Sequence, residues 1–247
     1  MEQRKIMEDK IELIKKVYSA IQIAAENSGR QSGDVRLVAV SKTKPVEDII
    51  AFRRAGLREF GENYVQEFIE KFEQLKDHGI VWHFIGHLQR NKVKYIIDKA
   101  FMIHTVDSFE LAEEIQKQAV KKGLPKINIL LQVNIGREPQ KGGIDPDCVI
   151  DAYNKIKQLD RLKIHGLMSI PPFLEAEELR VYHRRLRELR DEILLKTDAD
   201  PQIFKELSMG MSEDFDVAIE EGATIVRLGS ILFGKREKKE AQSQLSN

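Results

Sequence analysis

Apolar and polar positions along the chain alternate between two patterns. Short runs rich in apolar, often β-branched residues recur, and stretches with apolar residues three and four apart separate them. The runs are VRLVAVSK at 35–42, REFGEN around Phe60, WHFIG at 82–86, FMIHTVD at 101–107, INILLQVNI at 127–135, LKIHGLMSI at 162–170, FKELSMG ending at Gly210 and TIVRLGSILFG ending at Gly234. Between them, VEDIIAFRRAG, NYVQEFIEKFEQL and SFELAEEIQKQAVKKG read as amphipathic helices. Ser108 stands at an N-cap position and Gly123 at a C′ position. Near-continuous apolar strands with helical crossovers specify a parallel α/β sheet covered by helices. Eight such units over roughly 200 residues predict a single-domain (β/α)8 TIM barrel. It spans about 35–234, with an extra N-terminal helix at about 8–27 and a polar tail at 235–247. Periodicity does not show closure, so an open doubly wound sheet is the alternative.

Composition narrows the partners. Forty basic and forty acidic residues cancel, which removes a global electrostatic case for nucleic acid or an anionic membrane. Cys148 is the sole cysteine, so no intrachain disulfide is expected, and a lone thiol fits a reducing cytoplasm. The opening MEQRKIMEDKIELIKK is charged throughout, unlike a signal peptide. No apolar run approaches the ~20 residues that span a bilayer.

In such barrels chemistry sits at the C-terminal strand ends. The polar residues falling there include Lys42, Asn63, His87, Asp107, Asn134, Ser169, the segment 208–212 and the segment 227–230. A lysine at the mouth of a barrel core is partly desolvated, which lowers its pKa and makes it a better nucleophile toward carbonyls. By position alone, a lysine snorkelling from a strand end is the commoner outcome. Lys44, before Pro45, reads as a surface residue. The small residues Ser208, Gly210 and Ser212 expose backbone amides where a helix begins, a natural seat for phosphate. Ser212 serves equally as an ordinary N-cap. Gly229 and Ser230 follow strand eight, and barrels often bind phosphate after strands seven and eight. Arg227 shares its side of the strand with Gly229, so it points inward and needs an anion or an acceptor atom. A structural salt bridge and a donor to a cofactor ring nitrogen both satisfy that need.

WHFIGHLQRNK carries His83 and His87 four apart, but across a strand and a glycine rather than along a helix. With no Cys or carboxylate cluster beside them, no metal site is expected. Gln89, Arg90, Asn91 and Lys92 begin a helix and read as its solvated face. No G-x-S-x-G, G-x-G-x-x-G or Walker A loop occurs.

The motifs AVSKTKP, FGENYVQE, WHFIGHLQRNK, GLMSIP, LSMGMSEDF and VRLGSILFG stand together and in order between about 35 and 234. In this the chain resembles the YggS/PROSC family of pyridoxal-phosphate homeostasis proteins. The resemblance implies a fold-type III barrel like the N-terminal domain of alanine racemases, with pyridoxal 5'-phosphate (PLP) as cofactor. It implies that Lys42 is the Schiff-base lysine. Ser208, with backbone from Met209 and Gly210, matches the phosphate seat, which Gly229 and Ser230 complete. Arg227 matches the arginine that faces the pyridine nitrogen, and Asn63 and Met168 match residues near the ring. It assigns no role to His87.

The family consists of PLP-binding regulators of vitamin B6 supply and amino-acid balance, without an established catalytic activity. The resemblance therefore implies a cytoplasmic PLP carrier or buffer, monomeric, with apo PLP-dependent enzymes as partners. A low-activity racemase or lyase is the alternative, and a phosphosugar-type barrel enzyme a third reading. An arginine beside the pyridine nitrogen weakens PLP as an electron sink. The racemases also take a tyrosine base from an added β domain, and a chain stopping thirteen residues after Gly234 is expected to lack one.

Overall fold

The computed structural model describes residues 2–234, with side chains described at residue 5 and from residue 7 onward. The predicted polar tail lies outside the described residues. Eight strands alternate with helices: β1 Arg36–Val40, β2 Glu59–Glu62, β3 Val81–Phe84, β4 Met102–Val106, β5 Ile127–Val133, β6 Leu162–Ser169, β7 Glu206–Ser208 and β8 Ile225–Leu228. Every neighbouring pair is parallel, and β1 pairs with β8 through Val38↔Arg227 and Ala39↔Leu228. The sheet is a closed barrel, which settles the alternative of an open sheet.

The helices are α1 Glu2–Asn27, α2 Val46–Arg54, α3 Val65–Leu75, α4 Val93–Ile96, α5 Phe109–Lys121, α6 Val149–Ile156, α7 Ala176–Lys196, α8 Phe215–Glu220 and α9 Ser230–Phe233. The Ser108 side chain caps α5 by accepting from Leu111 N, and Gly123 follows that helix at φ 63°. α1 starts earlier than the sequence pattern predicts, because residues 2–7 hold good helix formers and no breaker. Its role is architectural. The four-residue α9 is too short to cover the barrel wall, and α1 packs its buried Ile14, Val17, Ile21 and Ala24 alongside α8 and α2 instead.

Strand alternation divides the apolar residues into two sets. Leu37, Phe60, Trp82, Phe84, Ile129 and Val226 point outward into the helix layer. There Phe68 of α3 meets Trp82 and Phe84 edge-on at 5.8 and 6.0 Å. Burying one such ring contributes about 1.5–3 kcal/mol. Val38, Met102, Leu130, Met168 and Ile225 point inward and form a separate layer within the barrel. The rest of the interior is polar, and that polar filling leads to the site.

Candidate functional site

A cavity of about 290 Å³ opens at the C-terminal mouth of the barrel. Lys42, Asn63, Arg227, Gly229 and Ser230, all singled out from the sequence, line it. One wall is apolar and comes from the segment after β6, with Ile170, Pro172, Phe173 and Leu174. Met211, Ser212, Glu213 and Asp214 also line the cavity.

Lys42 sits two residues beyond the end of β1, in a turn rather than in the strand. Ser41 before it is buried, and Thr43 after it has a left-handed backbone, φ 64°. Lys44 also lines the cavity and donates to the Phe233 carbonyl at 2.8 Å, so it is part-buried rather than a surface lysine. A buried ionic cluster lies behind the turn. Lys71 Nζ donates to Ser41 O at 2.6 Å, Glu62 Oε1 at 2.8 Å and Glu67 Oε1 at 2.7 Å.

Asn63 follows β2, and its Oδ1 is buried with no hydrogen-bond partner among the described residues. Its backbone passes so close to Gly86 that a Cβ there would stand 1.9 Å from the Asn63 carbonyl oxygen. Only glycine permits that approach, which places Asn63 at the rim.

Arg227 is buried and donates to two neutral oxygens, Ser208 Oγ at 2.8 Å and Ser169 O at 2.9 Å. Burial pushes its guanidinium down to about 10, against the opposing field of Asp214. No carboxylate of the described residues pairs directly with it, so the salt-bridge reading of an inward arginine does not apply. Instead a polar chain crosses the barrel. Ser208 Oγ is 2.9 Å from His104 Nδ1, and His104 Nε2 is 2.9 Å from His83 Nδ1. His83 Nε2 lies 3.0 Å from Glu59 Oε2, close but off the ideal hydrogen-bond direction. Burial holds both histidines below the usual imidazole value, His104 well below.

Four residues assigned to the cofactor from sequence do not line the cavity. Met168 belongs to the apolar layer inside the barrel. The Ser208 hydroxyl is taken up by Arg227 and His104. Met209 is buried, and its amide donates to Ile225 O. Gly210 is also off the lining, and its role is to turn the chain. It has φ 88°, and a Cβ there would lie 2.6 Å from the Ala218 Cβ. The turn delivers Ser212, whose Oγ accepts from the amides of Gly229 at 3.1 Å and Ile231 at 3.3 Å. Ser212 therefore does not cap α8. It holds the start of α9, across the gap between the segments that follow β7 and β8.

Sequence reading left Ser212 open between a phosphate seat and a helix cap, and took Lys44 for a surface residue. The signal for Ser212 is its place four residues after Ser208, on the far side of a glycine that redirects the chain. His87 is exposed, 3.5 Å from Asp107, and with Gln89 and Lys92 it borders a separate depression of about 660 Å³. Arg90–Lys92 is a 3-10 turn before α4. Among the described residues no three His, Cys, Asp or Glu side chains gather as a metal-binding group.

Residues 18–237 match the family model described as alanine racemase, N-terminal domain. A pyridoxal phosphate homeostasis protein of Aquifex aeolicus is 48% identical over 227 residues, covering 92% of this chain and 98% of that protein. A crystal structure from Bifidobacterium adolescentis aligns with a TM-score of 0.85 at 35% identity, over 93% of this chain and 96% of that one. PipY of Synechococcus elongatus, solved with PLP bound, aligns with a TM-score of 0.75 at 39% identity, over 81% and 93% of the two chains. Together with the closed barrel and the lysine, arginine and serine gathered at its mouth, these likenesses show that the chain belongs to the pyridoxal phosphate homeostasis proteins, within the family built on the alanine racemase N-terminal domain.

Proposed function

We propose that the protein binds PLP in the mouth of the barrel with Lys42 as covalent anchor, and carries or buffers it in vitamin B6 and amino-acid homeostasis. One observation carries this reading. A single cavity gathers a primary amine, a guanidinium bonded only to neutral oxygens, and a serine held against two backbone amides. When bound, the cofactor supplies an aldehyde with which a primary amine condenses reversibly, losing water. The relatives' names and the PLP-bound PipY structure support the same reading.

The residues present fit the group. The hydroxyls of Ser212 and Ser230, on either side of Gly229, offer donors a phosphate needs. Arg227 offers a donor that holds a pyridine nitrogen unprotonated, which limits the ring as an electron sink. The partnerless Asn63 Oδ1 fits a hydroxyl donor. The apolar wall at 170–174 suits the ring face.

The setting we propose is the cytoplasm, with apo PLP-dependent enzymes as recipients and a monomeric carrier. No helix of the described residues is long and apolar enough to cross a membrane.

The test is direct. Purified protein mixed with PLP is expected to turn yellow, and borohydride is expected to fix the label on Lys42, read by peptide mass. Lys42→Ala is expected to abolish the label and keep the fold. A label on another lysine, or none, overturns the anchor. Incubation with an amino-acid panel in deuterated water is expected to show no Cα exchange; exchange with turnover replaces the carrier reading with a racemase or lyase.

A further inference from the structure

Lys71 stands where the pattern of its own helix calls for an apolar residue. The buried positions of α3 are Phe68, Lys71 and Leu75, spaced three and four apart along one stripe. A charge there is costly to bury and is retained only with full hydrogen bonding. All three donors of the Lys71 ammonium are in use, and their targets share one feature. Each lies against the turn that carries Lys42.

On the N-terminal side of Lys42, the Ser41 carbonyl accepts from Lys71. The Ser41 hydroxyl donates to Glu62 Oε1 at 2.6 Å, and that same oxygen accepts from Lys71. On the C-terminal side, the Thr43 amide donates to Glu67 Oε1 at 2.6 Å, and that oxygen too accepts from Lys71. The ammonium thus joins both flanks of Lys42 through two carboxylates. Thr43 needs such a restraint, because φ 64° is unfavourable for a β-branched residue. A buried ion pair is weak evidence for stability, because replacing the whole set of charges with apolar side chains of similar volume is often neutral. The stripe alone would be served by Met or Leu.

We propose that Lys71, with Glu62 and Glu67, is a positioning residue for Lys42. It fixes the backbone on both sides of the anchor and holds Thr43 in its left-handed conformation, so that the Lys42 amine is presented to the cavity. This rests on the assignment of Lys42 as anchor.

The experiment compares two ligands on the full chain. PLP has the aldehyde, and pyridoxine 5'-phosphate has an alcohol in its place and binds only non-covalently. Lys71→Met is expected to lower the melting temperature, because buried Glu62 loses its partner, and to keep the fold and the affinity for pyridoxine 5'-phosphate. It is expected to slow formation of the borohydride-fixed label on Lys42 by roughly tenfold or more, as a misplaced nucleophile does. Adding Thr43→Asn, which tolerates the left-handed region, is expected to restore part of that rate. Glu67→Gln, at a half-buried site, is the milder variant should Lys71→Met fail to fold. In cofactor-free protein it is expected to speed hydrogen exchange at the Thr43 amide. Equal losses for both ligands make Lys71 merely structural and overturn the proposal, as does an unchanged labelling rate in Lys71→Met or, where that variant does not fold, in Glu67→Gln. Wild-type protein left unlabelled at Lys42 is a separate result and removes the anchor itself.

Discussion

Arg227 donates to Ser208 Oγ at 2.8 Å, and this contact closes one end of a polar chain through two buried histidines. A guanidinium only donates, so Ser208 accepts there and keeps its own hydrogen for His104 Nδ1, the direction favoured by the Glu59 carboxylate, which calls for a proton on His83 Nε2 at the far end. His104 then carries its proton on Nε2 and gives it to His83 Nδ1. His83 in turn presents Nε2–H to Glu59. Both imidazoles are neutral Nε2–H tautomers in this arrangement. Nitrogen-15 NMR of the imidazoles is expected to show unprotonated Nδ1 in both from pH 8 down to about 6. A protonated Nδ1 on either ring breaks the chain as drawn. His104→Ala leaves the Ser208 hydroxyl hydrogen and His83 Nδ1 unpaired, at a cost of about 2–4 kcal/mol in urea unfolding.

The same histidines make the protein sensitive to acid. Burial depresses their folded pKa values below the unfolded 6.5. The unfolded chain then takes up protons that the folded chain refuses, so stability is full above about 6.5 and is lost as pH falls below it. Wild-type melting temperature is expected to drop between pH 6.5 and 5. A conservative His104→Gln variant is expected to show a shallower drop, and an equal slope in both proteins removes His104 from the account.

Glu62 acts in the opposite direction. Burial raises its carboxyl to about 7, against the pull of Lys71 and Ser41 and with the repulsion of Glu67. Its Oε2 has no hydrogen-bond partner among the described residues. A folded pKa above the unfolded 4.5 means the folded chain holds a proton that the unfolded chain has lost. That contribution is complete below about 4.5 and fades as pH rises through about 7, by about 3 kcal/mol. Glu62→Gln is expected to remove this falling component from the pH–stability curve. A curve unchanged between pH 5 and 7.5 places the carboxyl in its ordinary range.

The barrel was legible in the sequence because eight apolar runs and their crossovers are a pattern of spacing, and closure needed only the β1–β8 register to be seen. The cavity residues at strand ends, Lys42, Asn63 and Arg227, followed from the same spacing. What spacing does not show is which way the chain turns after a strand. Gly210, at φ 88°, sends Ser208 inward and Ser212 to the cavity, although both lie in one short polar segment. Lys71 was hidden for a related reason. A lysine in an amphipathic helix reads as surface until its three acceptors are located in space.

Gly86 tests the rim of the site. A methyl group there meets the Asn63 carbonyl at 1.9 Å, and backbone cannot yield as a side chain does. Gly86→Ala is expected to cost about 3 kcal/mol or more in urea unfolding. Folded protein recovered at low temperature is expected to bind PLP more weakly, since Asn63 is displaced with its backbone. A variant as stable as wild type means that the β2 and β3 ends move apart freely.

The two serines of the 208–212 segment separate the phosphate seat from the ring contact. Ser212 Oγ touches the amides of Gly229 and Ile231 and lines the cavity, while Ser208 Oγ touches Arg227 and His104 and does not. Ser212→Ala is expected to weaken competition by inorganic phosphate for the site, and to weaken PLP retention by about tenfold, as loss of one hydrogen bond to a charged group does. The absorbance maximum of the bound cofactor is expected to stay in place, because Arg227 keeps its partners. Ser208→Ala is expected to do the reverse. It frees one Arg227 donor and alters the spectrum, with phosphate competition unchanged. If Ser208→Ala instead lowers phosphate competition and Ser212→Ala does not, the seat lies where the linear motif suggested, and the segment must rearrange on binding.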